Sequence, residues 1–461
     1  MGTTTAASRA FALFAASLWV GASAPGAVVS VETVVQLVDA VNNGAAGDTV
    51  EVAAGTYRLP GTLAPKADMT IRGAGAGRTI LAPADAWRPS AEGLPDNATD
   101  SGSAVASAYL FDLGSNDGVK VRDLTADGAG RLHGAFCGND ADGLELARLH
   151  VRDFVWCGVR TWRMDGATVE RCEFEDAGGV HGGVTGGALF LTWAKASRFS
   201  HNRFRRSDGS ARNFYGVKAR EARGCRFDHN TFLVNFSMEL PHEHDLDNEI
   251  DHNYVWGAIS LPKNGGGGFV PPGGTSFRIH HNCFRSSYAF EGPRNGLEID
   301  HNLFDLTDSP AYGDGGNLIS SWGDAAPGPV RFHDNLVKDP GRGLFWSRNP
   351  YGGLSFRNNH VIANRTATPR TEGLFGFAPE TAFDTIDIED NIIECVDQPR
   401  PLVRNGQSRA ATVRNNTLVN VGDADSFDNA DTGAARGPTE PLRFRCGADE
   451  EFLVDQWTVS N

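Results

Sequence analysis

The chain has 461 residues, 40% hydrophobic and 21% charged, with 55 glycines, only 4 methionines and a formal net charge of −15. This is a globular composition, and abundant glycine with few helix-forming runs favours a turn-rich β architecture. So acidic a balance excludes a general nucleic-acid binder, which needs a basic surface to neutralise phosphate, but it allows an anionic partner held in one local basic cleft.

Residues 1–27 carry Arg9, an apolar run from Phe11 to Val20, and then small residues with "ASA" at 22–24. That is the layout of a secretory signal peptide, so the mature chain is expected to be secreted or periplasmic. The run is too short to span a bilayer and no later apolar run reaches 18 residues, so no membrane partner is expected. Next, Val34, Leu37, Val38 and Val41 stand at i, i+3, i+4 and i+7, which predicts an amphipathic helix. The strand-like "TVEVAAGTYRL" follows it, and residues 89–105 read as a polar insertion rich in Pro, Gly and Ser. The phrases "VRDLTADG", "LARLHVRDF" and "VERCEFEDAG" then set up a rhythm of short strands.

From residue 201 the rhythm becomes a repeat: "HNRF", "HNTF", "HNYV", "HNCF", "HNLF", "DNLV", "NNHV", "DNII" and "NNTL". Its asparagines, from Asn202 to Asn416, are separated by 28, 23, 29, 20, 33, 24, 32 and 25 positions. One apolar β segment per 20–30 residues is the signature of a stacked solenoid. The expected fold is therefore all-β: a single-stranded right-handed parallel β-helix over residues 28–461, of about a dozen coils. The N-terminal helix would cap its first coil, and the tail from about 421 to 461 would cover the last. Stacked asparagines should form an amide ladder, with Asn taking the left-handed turn conformation. His201, His229, His252, His281 and His301, with Asp228, Asp251 and Asp300, then read as turn residues of the scaffold. The seven cysteines lack zinc spacing and read as small buried hydrophobes, with at least one thiol free.

Three features remain once the repeat is subtracted. Residues 195–226 hold ten Lys/Arg against Asp208 and Glu221. Within them "YGVKAR" places Val217 and Ala219 inward by strand alternation, and Lys218 and Arg220 outward. The next coil reads "FSMELPHEHD"; aligning Met238 with Val217 stacks Glu239 near Lys218, followed by His242, Glu243, His244 and Asp245. Carboxylates and imidazoles this dense leave a Ca²⁺ site open as an alternative to a loop of satisfied polar groups. Two further coils add Lys263 before four glycines, and Glu291 with Arg294. Together these residues suit an extended anionic chain lying along one side of the solenoid.

"GGALFLTWAK", "FYGVKAR", "NFSMELPHEHD" and "ISLPKNGG", with the helix-capped start and the Asn rungs, resemble the β-helical polysaccharide lyases, most closely polysaccharide lyase family 31. The resemblance is best over about 180–270 and implies action on alginate-type uronate polymers. β-Elimination at a 4-linked uronate needs a base for the C5 proton, neutralisation of the adjacent carboxylate, and an acid for the departing O4. The resemblance implies Lys218 as base, its pKa depressed by Arg220 and neighbouring cations. The tyrosine that the family takes from a neighbouring coil has no counterpart here between Tyr109 and Tyr215. Tyr215, His181 and His242 are the candidate acids, although alternation points Tyr215 inward. Arg220 and Lys263 are the candidate carboxylate binders, and Glu239, His242, Glu243 and Arg294 are expected to line the groove.

The side-chain mechanism requires no metal or other cofactor, and a monomer is expected. The paired aspartates of β-helical galacturonan hydrolases are not present as a set. A uronan C5-epimerase shares the proton abstraction, and a non-catalytic polysaccharide-binding or adhesin β-helix shares the basic groove. Both stand as alternatives.

Overall fold

The computed structural model describes residues 26–88, 108–181, 184–209, 214–238, 247–257, 259–260, 277–285, 290–291, 296–307, 318–321, 326–341, 343–347, 351–363, 373–377, 382–383, 385–396, 399–404, 407–408, 411–422, 442–445 and 451–454. Residues 1–25 of the expected leader, the 89–105 insertion and the tail beyond 422, apart from its hairpin Leu442–Arg445/Glu451–Val454, lie outside them.

Short strands recur in a fixed order and stack in parallel into three long sheets of 17, 14 and 12 strands. We call these sheets A, B and C. A typical coil contributes one strand to each in turn, for example Arg226–Asp228, Thr231–Phe232 and Asn235–Met238. Fourteen coils follow from the strands of sheet B, and the fold is a right-handed parallel β-helix. One continuous core, from Val31 to Val413, fills the interior. Aromatic side chains stack along it at the inter-coil spacing, as in Phe174–Phe204–Phe232 with centroids 5.1 and 4.7 Å apart.

The helix Val34–Asn43 caps the first coil, as its periodicity predicts. Thr33 and Gln36 close a capping box at its start, and Leu37 and Val41 bury against the open end of the core. The segment expected as one strand bends instead into two, Thr49–Val52 and Gly55–Leu59, which belong to different sheets.

All nine repeat asparagines are buried between sheets A and B. After Asn202, whose Oδ1 accepts from Cys172 N at 2.9 Å, each side-chain oxygen accepts from the backbone N–H and the amide of the preceding asparagine, as Asn253 Oδ1 does from Asn230 N at 2.8 Å and Nδ2 at 3.0 Å. The left-handed residue is not the asparagine but the one before it: His201, His229, His252, His281 and His301 have φ between 54° and 57°. The asparagine must keep its amide in line with the stack, so the corner falls on its neighbour. The five imidazoles, carried outward, stack at 4.8, 4.9, 5.1 and 5.1 Å. Asp228, Asp251 and Asp300 are likewise not turn residues. They end strands of sheet A, fully buried, and each takes a two-pronged bond from an arginine one coil earlier: Arg198, Arg226 and Arg278. Six cysteines, 137, 157, 172, 225, 283 and 395, are buried free thiols, and Cys446 lies outside the described residues.

Candidate functional site

Much of the basic run 195–226 belongs to scaffold pairing. Arg198 and Arg226 bind Asp228 and Asp251, Arg205 bridges Glu173 and Glu175 at 2.7 Å each, and Arg206 meets Asp208 at 3.3 Å. On sheet B cations alternate with carboxylates along the stack, as Asp127, Arg152, Glu175 and Arg205 do in register, whereas on sheet A Arg198 and Arg226 face each other and each is neutralised by the aspartate one coil on. What these pairs leave for chemistry is the strand Tyr215–Arg223 of sheet C.

A bulge decides where its side chains point. In five successive coils the sheet C strand places two consecutive residues inward: Leu110 with Phe111, Ala135 with Phe136, Gly158 with Val159, Ala188 with Leu189, and Gly216 with Val217. A Cβ on Gly216 would stand 2.9 Å from ring atoms of both Phe204 and Phe232, so the position faces the core. The register shifts between Tyr215 and Val217 accordingly. Simple alternation points Tyr215 inward; the bulge re-phases the strand and brings it to the outer face with Lys218. Gly187 pairs with Tyr215 in the preceding coil, and its bare Cα leaves room for Lys218. A Cβ there would lie 3.0 Å from Lys218 Cβ.

Lys218 is nonetheless not the rim of an open groove. It is 3% exposed, with Nζ 5.7 Å from the centre of the Phe190 ring and 5.9 Å from that of Tyr215. The reason is a second apolar cluster outside the coil, made of Ala108, Tyr109, Cys137, Trp156, Cys157 and Phe190, which continues up to the lysine. An ammonium over aromatic faces is well accommodated where water is excluded. Within this cluster burial pushes the Cys137 thiol up to about 11 and the Cys157 thiol to about 12, so neither is a nucleophile at neutral pH. Tyr109, hydroxyl 3.8 Å from Cys157 Sγ, is likewise held well above its ordinary value by burial.

The backbone register through Lys218 runs Asp112, Cys137, Arg160, Phe190, Lys218, Ser237, Ser260 and Glu291. The expected stacking of Glu239 on Lys218 is therefore corrected: Val217 pairs with Phe236 rather than Met238, and Ser237 stands opposite the lysine. Gly216 has no partner in the next strand, so the register steps by one residue after the Tyr215–Asn235 pair. The neighbouring row runs Asn139, Trp162, Thr192 and Arg220. For Arg220 and His181 only the backbone is described. Arg220 lies beside Thr192, and His181 in a short hairpin, Val180–His181 with Val184–Thr185, that leads into sheet C. Glu239, His242, Glu243, Lys263 and Arg294 lie outside the described residues, as does the rest of the 239–245 cluster considered for Ca²⁺.

Among the described residues, two groups bring carboxylate and imidazole atoms within 4.8 Å: Glu249, Asp251 and His280, and Glu298, Asp300 and His333. Both sit on sheet A, where arginine already engages Asp251 and Asp300. Burial pushes these two carboxyls up, but hydrogen bonds from His252 with Arg226, and from His301 with Arg278, outweigh it and hold them well below the carboxylate range.

No protein-family model matches the sequence, and no curated protein sequence does. Among solved structures the chain is similar to the A-module of the Azotobacter vinelandii mannuronan C-5 epimerase AlgE6 (14% identity, 88% of this chain and 96% of that one, TM-score 0.39). It is also similar to the alginate lyase from Paenibacillus sp. str. FPU-7 (11%, 84% and 97%, TM-score 0.30). A third is the tailspike protein of E. coli bacteriophage HK620 in complex with a pentasaccharide (11%, 86% and 75%, TM-score 0.47). At such identities the likeness extends to the β-helical fold alone.

Proposed function

We propose that the chain is an exported polysaccharide lyase that cleaves a 4-linked polyuronate, of alginate or polymannuronate type, by β-elimination. The observation that carries this reading is the pairing of Tyr215 and Lys218, an acid and a base candidate turned to the same face by one bulge. In the step, the amine of Lys218, in its unprotonated form, takes the C5 proton. The electron pair left on C5 forms the C4–C5 double bond, and the C4–O4 bond breaks with a proton from the Tyr215 hydroxyl. Arg220, two residues further along the same strand, is the candidate for neutralising the substrate carboxylate as charge builds on it.

One observation favours a second reading, a non-catalytic polysaccharide-binding β-helix. Lys218 is buried between rings, as a purely structural lysine would be. Incubation with polymannuronate, polyguluronate, glucuronan and pectate separates the two. A lyase raises ultraviolet absorbance through its unsaturated product on at least one of them. An epimerase leaves absorbance flat and changes the uronate ratio by NMR. Flat absorbance with unchanged NMR on all four would overturn the enzyme reading.

A further inference from the structure

We infer that Trp162 and Trp193 form a platform on which a pyranose unit of the substrate stacks, one coil away from the Tyr215–Lys218 pair. This rests on the polyuronate reading above. The two indoles meet edge to face with centroids 6.4 Å apart, at an interplanar angle of 62°. Both are half-buried, unlike the sealed rings of Trp156 and Phe190 on the same side of sheet C. Trp162 occupies the outer row that leads through Thr192 to Arg220. Trp193 stands one strand across from Lys218, about 5 Å, and three residues along, about 10 Å. A ring there takes a neighbouring unit of a chain whose reacting unit lies over Lys218.

The backbone singles out Trp193 independently. Its φ is 58°, in the left-handed region that bulky side chains avoid. The other described non-glycine residues with positive φ are Asp, Asn, His, Arg, Glu and Ala, so Trp193 alone places a large apolar ring on such a corner. In the flanking coils the equivalent corners are Arg163 and Glu221, which project polar groups. At the same corner this coil carries an indole instead, which sets a half-buried aromatic face beside Trp162 on the outer side of sheet C. An aromatic face packs against the axial C–H groups of a sugar ring, and its size adds contact without adding charge next to an anionic chain.

The test combines binding and kinetics with polymannuronate oligosaccharides as the probe. Tryptophan fluorescence of Lys218→Ala, which binds without turnover, should change on titration. The response should weaken about tenfold or more in affinity when Trp193→Gly or Trp162→Ala is added. In the active protein the same substitutions should raise KM about tenfold and keep kcat within about twofold, the signature of lost uniform binding. Glycine suits the left-handed corner, and Trp162→Ala carries the test alone if Trp193→Gly lowers the melting temperature. Unchanged affinity and KM in the folded variants overturn the platform while the lyase reading stands. Binding that depends on the tryptophans, in a protein that cleaves no uronate polymer, supports the platform and sinks the lyase. Neither binding nor cleavage overturns both.

Discussion

Replacing Asn302 by alanine probes the scaffold at the middle of its ladder. Asn302 Oδ1 accepts from Asn282 N at 2.9 Å and Asn282 Nδ2 at 3.0 Å, and its Nδ2 donates to Ile279 O, Asp300 O and Asn335 Oδ1 at 2.8, 2.9 and 3.0 Å. After truncation several of these groups keep a partner. Asn282 Nδ2 still reaches Ile250 O, Asn335 Oδ1 still accepts from Asn302 N, and Asp300 O lies 3.3 Å from His281 N. The Asn282 N–H and the Ile279 carbonyl lose their ladder bonds inside the stack. At about 1–3 kcal/mol for each buried polar group left unpaired, the cost is roughly 2–6 kcal/mol. His301→Asn, which keeps a left-handed residue at the corner and removes a partly exposed imidazole contact with Asp300 and the outer stack on His281, should cost about 1 kcal/mol, below the ladder value. Urea unfolding followed by circular dichroism gives both values from midpoint and slope. If Asn302→Ala fell within about 0.5 kcal/mol of wild type, the ladder would be a consequence of stacking and not one of its causes.

Further expectations concern the site and the pH response. Gly216→Val pushes a side chain into Phe204 and Phe232 and should cost about 1–3 kcal/mol by thermal or urea melt; it should also reduce cleavage, because the bulge orients Tyr215. Tyr215→Phe keeps the ring beside Lys218 and removes the hydroxyl, so kcat should fall about 10²-fold or more with the melt unchanged; full activity would remove Tyr215 as the acid. Burial, reinforced by His280, His252 and His301, lowers the His281 pKa to about 4. The unfolded chain therefore binds more protons than the folded one between pH 6.5 and 4, and stability drains away as pH falls through that window. His281→Asn, suited to the left-handed corner, should flatten the melting temperature across the same window.

The solenoid was legible because the repeat is long and each period carries one apolar strand, so Asn202 to Asn416 mark nine coils in the sequence itself. The seat of the left-handed turn was misplaced by one residue. Both residues of each His-Asn pair tolerate that turn, and only the amide's alignment along the stack chooses between them. The charge excess at 195–226 was visible, but its partners, such as Glu173, Glu175 and Asp251, are 25 to 32 positions away, so ladder pairs resembled a groove. The bulge was the decisive omission. Its signal is present as "CGVR", "GALF" and "YGVK", a small residue before an inward apolar one in three successive coils. Reading those phrases together places Tyr215 and Lys218 on one face and sets the register one coil further on. The outer apolar cluster that buries Lys218 could not be foreseen, because it joins Tyr109 to Phe190 across four coils.

The most direct measurement of the central claim is the rate at which wild type and Lys218→Ala form unsaturated chain ends on the polyuronate that wild type cleaves best, with matched melting curves. With Lys218 as the base, the variant slows by about 10²–10⁴-fold. A folded Lys218→Ala protein that cleaves at the wild-type rate would contradict it.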